Sequence, residues 1–134
     1  MIYAVIDTNV IVSALITKNP ESPTMQIVKA LWQGLITPLY NEAILTEYNK
    51  VLRRKKFHLD EEMIESVVYY IETNGKQIDS EHFEGMMPDE KDRPFYEVSL
   101  SDERSFLVTG NLKHFPQTPK VVSPRVFLEL TGLL

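Results

Sequence analysis

Three acidic residues stand where an α/β chain could aim them at one point. Asp7 ends the apolar run Ile2-Tyr3-Ala4-Val5-Ile6, Glu47 lies between Ile44 and Val51 on a predicted helix, and Asp92 precedes Arg93-Pro94. Carboxylates brought close together repel and raise one another's pKa, so a cluster of them suggests a neutralising cation. A hard ion such as Mg²⁺ takes oxygen ligands, often one or two carboxylates plus waters and substrate phosphate. Two such ions about 4 Å apart activate a water and stabilise the leaving oxygen of a phosphodiester. Spacing alone does not make the three acids converge, and each has a plainer reading. Asp7 is also placed to cap a helix starting near Thr8, Glu47 to sit on a helix rim, and Asp92 to cap the helix that Pro94 opens.

The elements that would position these acids alternate between strand and helix. The run Ile2–Ile6 suits a strand buried on both faces. A short helix is predicted from Val10 to Ile16, and Ser22-Pro23 starts another that Gly34 closes. Leu35 to Leu39 reads as a second strand. Asn41 caps a helix running to about Arg54, with Ile44, Tyr48, Val51 and Leu52 inward. Glu61 to Thr73 gives a further helix, Lys76 to Asp79 a short edge strand, and Ser80 to Lys91 an acidic loop. Pro94 opens a helix to about Leu100, Ser105 to Thr109 is a buried strand, Val121-Val122 a short one, and Ser123-Pro124 starts a last helix to Leu130. This order predicts an α/β class with a mainly parallel central sheet of four or five strands flanked by helices. In such sheets, sites form beyond the carboxyl ends of the strands, where Asp7 and Gly110-Asn111 fall.

Composition narrows the chemistry. With 134 residues the expectation is one domain, 1–134, and 43% hydrophobic with 25% charged residues is ordinary globular composition. The absence of Cys removes disulfide scaffolds, thiolate zinc sites and cysteine nucleophiles. Only His58, His82 and His114 are present, scattered, which argues against a site built from histidines; His114 follows the Asn111 turn, placed either to touch substrate or, the commoner case, as a solvated turn residue. A net charge of −5 argues against gripping nucleic acid by global positive charge, though a local basic strip with metal ions still serves an acidic nuclease. Neither a basic leader nor an apolar stretch of membrane-spanning length is seen, so a cytoplasmic protein without membrane contact is expected.

Four short motifs occur in order along the chain: Asp7-Thr8-Asn9 after the apolar strand, Leu45-Thr46-Glu47-Tyr48, Pro88-Asp89 through Asp92-Arg93-Pro94-Phe95, and Leu107-Val108-Thr109-Gly110-Asn111. In this the chain resembles PIN domains, in particular the single-domain bacterial and archaeal toxins of toxin–antitoxin pairs. The resemblance implies a three-layer fold with a parallel sheet between helices and Mg²⁺- or Mn²⁺-dependent cleavage of RNA. It assigns Asp7, Glu47 and Asp92 to catalysis and to the metal, with Thr8, Asn9 and Thr109 supporting. Asn111 falls where many relatives carry Asp. An amide still offers a carbonyl oxygen but no charge, so a second ion should bind more weakly than in a four-acid site, unless nearby Asp89 compensates. A small antitoxin is the implied partner, and a homodimer is compatible with the resemblance.

Arg53-Arg54-Lys55-Lys56, with Lys50 a turn earlier, is the densest basic patch. It is placed either to complement the dipole of the helix bearing Glu47 or to clamp RNA phosphates without reading sequence. Tyr69, Tyr70, Phe95 and Tyr96 read as core or rim. A phosphatase of the haloacid dehalogenase type needs a second aspartate where Asn9 stands, a receiver domain needs an acidic pair that is missing, and no Gly-rich phosphate loop occurs. The rival of another class is a non-catalytic PIN-like module that binds RNA or protein, for which Asn111 is the supporting feature.

Overall fold

Ala4, Val5 and Ile6 have no exposed surface, although alternate side chains of a strand point to opposite faces. Their strand must therefore be covered on both sides, and it lies at the centre of the sheet. The computed structural model describes residues 1–134. In chain order the strands are β1 (Ile2–Ile6), β2 (Ile36–Tyr40), β3 (Lys76–Gln77), β4 (Phe106–Val108) and β5 (Val121–Val122). The helices are α1 (Thr8–Ile16), α2 (Pro23–Trp32), α3 (Glu42–Leu52), α4 (Glu61–Asn74), α5 (Arg93–Leu100) and α6 (Pro124–Thr131). All strand pairs are parallel, in the order β3-β2-β1-β4-β5. The fold is the three-layer α/β arrangement expected, with five strands.

This order fixes where a site can form. The chain leaves β1 toward β2 and β3 on one side, then returns to place β4 and β5 on the other. The crevice at such a reversal lies outside the carboxyl ends of the two diverging strands, here β1 and β4. Ile6 pairs with Val108, so Asp7 and Thr109 emerge side by side. Helix α5 lies against β1, β2 and β4, and α3 packs against α1, α4 and α5. The core includes Tyr48, Phe95, Phe115 and Phe127, each almost wholly buried.

Local signals set the boundaries. Ser22 caps α2 through the Met25 N–H, Asn41 caps α3 through that of Ile44, and Ser123 caps α6 through that of Val126. Gly34 ends α2 in the left-handed region at φ 75°, with its N–H bonded to Leu31 and that of Leu35 to Ala30, a Schellman closure. Gly75 is needed for space: a Cβ there would lie 2.5 Å from the carbonyl oxygens of both Ile71 and Pro38. Pro38 is tolerated inside β2 because β3 pairs only with Leu39 and Tyr40, leaving the strand an open edge at the proline.

Differences from the sequence reading are concentrated at ends and turns. Helix α3 stops at Leu52, two residues short of the expected Arg54, so the basic run lies beyond it and partly in a 3-10 turn at Lys55–Phe57. The edge strand is only Lys76–Gln77. Further 3-10 turns at Glu90–Asp92 and Leu112–His114 have no periodic signature. Phe95 and Tyr96 are core residues and Tyr70 donates its hydroxyl to the Leu31 carbonyl, whereas Tyr69 is two-thirds exposed.

Candidate active site

Asp7 is placed by the strand behind it and the helix ahead. Its backbone N–H is bonded to the Val108 carbonyl, extending the β1–β4 pairing by one residue. Its carboxylate has two fixed partners: Oδ1 accepts from the Thr8 N–H at 2.8 Å and Oδ2 from the Thr109 hydroxyl at 2.7 Å. Capping and facing the cleft are therefore not alternatives; the residue does both. It is 5% exposed, and burial holds its carboxyl up at about 6. The Thr109 hydrogen bond opposes that rise, and the negative charge of Asp92 adds to it.

Glu47 is half-buried on α3, one residue before Tyr48. The Tyr48 hydroxyl donates to the carbonyl of Ile6 at 2.5 Å, the residue before Asp7. This strut fixes α3 against the end of β1 and so ties the positions of the two acids together. Burial, with the Asp7 charge as a second cause, keeps the Tyr48 phenol protonated far above its ordinary pKa.

Asp92 departs from the capping role its sequence context suggests. Although it precedes α5, its side chain makes no cap hydrogen bond. It turns instead to His114, whose Nδ1 lies 3.1 Å from Asp92 Oδ2. The Asp92 carboxyl is raised above its usual range, by burial first and the charge of Asp89 second; Glu47 adds to the rise and His114 opposes it. Asp89 caps the turn Glu90–Asp92 through the Lys91 N–H and lies 3.8 Å from His114 Nδ1.

For His114 the sequence offered a substrate contact or a solvated turn, and neither reading included its pairing with Asp92 and Asn111. The 3-10 turn Leu112–His114 brings it back over Asn111, whose Nδ2 lies 2.8 Å from His114 Nε2. An amide nitrogen only donates, so in this arrangement Nε2 accepts and Nδ1 carries the proton given to Asp92. The usable signal was the three-residue spacing from Asn111, which a 3-10 turn places on one side. Asn111 thus spends its amide on His114. Thr109 accepts from the Asn111 N–H at 2.9 Å while donating to Asp7. The Asn9 side chain bonds to Gly110 rather than to Asp7: its Oδ1 accepts from the Gly110 N–H at 3.0 Å and pins the loop after β4 to α1.

Asp7, Thr8, Asn9, Glu47, Asp92 and His114 line a single cleft of about 380 Å³. Thr8 is 5% exposed, and its hydroxyl is buried behind the cleft wall without a hydrogen-bond partner. A divalent cation fits these residues. The donors are hard oxygens, and the acids raise one another's pKa.

The basic run divides. Arg53 is held by Glu61, with Nε 2.9 Å from Oε1, and by the side chain and carbonyl of Asn49. Arg54 lines the cleft with Glu47 and Asp92. Lys55 and Lys56 are exposed on the following turn, with Lys56 Nζ 5.2 Å from the centre of the Phe57 ring.

A parallel sheet with carboxylates gathered at its reversal point, in a cleft suited to a divalent ion, defines a hydrolase of the metal-dependent nuclease class. The chain belongs to the PIN domain family, whose model matches residues 3–113. PIN domains are in general nucleases that use a divalent metal. No curated protein and no solved structure gives a significant match to the chain.

Proposed function

We propose that this chain, acting as one domain over residues 1–134, is an endoribonuclease that hydrolyses RNA phosphodiesters with Mg²⁺ or Mn²⁺ and serves as the toxin of a toxin–antitoxin pair. The observation that carries the catalytic part is the convergence of Asp7, Glu47 and Asp92 on one cleft at the carboxyl ends of β1 and β4. RNA as substrate and a small antitoxin as partner rest on the resemblance of the ordered motifs.

In this reading Asp7 and Asp92 hold the cation, with Glu47 at the edge of the same site. The bound ion supplies charge neutralisation and Lewis acidity at the scissile phosphodiester. Thr109 and the Thr8 N–H keep the Asp7 carboxylate in one orientation. Glu47 accepts the proton of the attacking water, and Arg54 holds a phosphate of the strand. The products carry a 5′-phosphate and a 3′-hydroxyl.

The test is cleavage of single-stranded RNA by the wild type, Asp7→Asn and Glu47→Gln, with and without EDTA, followed by analysis of the product ends. Metal-dependent cleavage abolished in Asp7→Asn and reduced about 10²–10⁴-fold in Glu47→Gln is expected. Cleavage that survives EDTA or Asp7→Asn overturns the reading. The neutral Asn111, turned to His114, favours the second reading, a non-catalytic module binding RNA or protein. RNA binding without cleavage under any divalent ion would select it.

A further inference from the structure

The cleft that gathers the carboxylates has a second half for which hydrolysis has no use. Val12 and Ile16 of α1, Val51 of α3 and Phe57 beyond it line the same cavity as the acids. Ile16 is 48% exposed and Phe57 is half-buried, so part of this apolar wall is open to solvent.

The wall follows from how α3 ends. The N–H of Arg54 is bonded to the Val51 carbonyl, and that of Phe57 to the Arg54 carbonyl. Such turns repeat every three residues, which puts Val51, Arg54 and Phe57 on one side. All three line the cleft, whereas Lys55 and Lys56 are exposed. His58 closes the turn in the left-handed region at φ 51°, a conformation uncommon for a residue with a Cβ. Phe57 packs against the core, which anchors its ring at the cleft.

One cleft therefore joins acids at the strand ends, the Arg54 guanidinium, an aromatic ring and an aliphatic wall. Lys56 Nζ lies 5.2 Å from the centre of that ring. Single-stranded RNA carries the matching alternation, an anionic phosphate and a flat apolar base face in each nucleotide. In a duplex the base faces are already stacked on one another, and the ring has none to meet. The cations at Arg54, Lys55 and Lys56 favour a polyanion over an apolar peptide on this wall.

We infer that Phe57 is a base-stacking residue that, with Ile16 and Val51, takes one unpaired nucleobase of the strand whose phosphate lies at the carboxylates. The inference rests on the proposed reading of the cleft as an RNA site and adds that the RNA is single-stranded there. Stacking of this kind tolerates any sequence, because every base has a π-face.

The test is fluorescence anisotropy in the Asp7→Asn background, where the RNA stays intact. Three probes are compared: a short single-stranded RNA of mixed sequence, an abasic ribose-phosphate chain of equal length, and the same RNA annealed to its complement. The single strand should bind most tightly. Adding Phe57→Leu keeps apolar bulk and removes the ring. It should weaken single-strand binding about 5- to 150-fold, the range for one stacked base, and leave the abasic chain unchanged. Phe57→Trp should preserve the preference for bases, and melting curves check that each variant folds. Arg54→Ala, by contrast, should weaken the RNA and the abasic chain alike. Equal affinity for RNA and the abasic chain, single-strand binding untouched by Phe57→Leu, or no RNA binding at all overturns the inference and leaves the apolar wall to a protein partner. Cleavage by the wild type alongside such a result keeps the nuclease reading. A Phe57-dependent preference for bases without wild-type cleavage counts against the nuclease reading alone.

Discussion

Thr109 donates its hydroxyl to Asp7 Oδ2 at 2.7 Å, joining the ends of two neighbouring strands across 102 positions of sequence. The Thr109 hydroxyl oxygen also accepts the N–H of Asn111, so one side chain orients the buried acid and starts the turn that delivers His114. Thr109→Val keeps the shape and removes both bonds. Because this hydrogen bond lowers the Asp7 pKa, its loss should move that pKa above about 6. Stability at pH 8 should fall by about 1.5–3 kcal/mol, the range for a hydrogen bond to a charged group. Urea unfolding of the two proteins across pH measures both effects.

Asp7 also sets a pH dependence for the metal-free protein. Its pKa is about 6 folded against 3.8 as the ordinary value, so the folded state binds this proton more tightly than the unfolded chain. The favourable contribution is present in full below pH 3.8 and is lost as pH rises through 6, a change of about 3 kcal/mol. The difference in stability between wild type and Asp7→Asn should follow that curve, with the variant the more stable at pH 7.5 in EDTA. Added Mn²⁺ should raise the wild-type melting temperature more at pH 7.5 than at pH 5. Thermal melts at the two pH values decide this, and a larger rise at pH 5 would contradict it.

Adjacent arginines should behave differently. Arg53 is committed to Glu61 and Asn49, while Arg54 lines the cleft. In an Asp7→Asn background that binds RNA without cutting it, Arg54→Ala should weaken binding and reduce the slope of log affinity against log salt by about 0.7, one phosphate contact to a single strand. Arg53→Ala should leave both unchanged and only slightly alter stability, since its ion pair is exposed. Fluorescence anisotropy over a salt series separates the two.

Much of this architecture was legible because it depends on local rules. The apolar run of β1, the caps at Ser22, Asn41 and Ser123, and Gly34 at a helix end each act within a few residues. The ordered motifs around Asp7, Glu47, Asp92 and Asn111 carried the family. The 3-10 turns escaped because three or four residues are too few to show a period.

The chain's sequence by itself determined an alternating α/β order, a central apolar strand ending in an acid, and the absence of any thiol chemistry. Only the tertiary structure decided that Asp92 forgoes capping to face His114, that Asn111 serves the imidazole, and that Arg54 rather than Arg53 borders the cleft. The physical reason is the placement of β4 beside β1. That pairing brings residues about 100 positions apart within hydrogen-bond reach, and the burial it creates raises the pKa of Asp7. Neither consequence is contained in the local spacing of side chains along the chain.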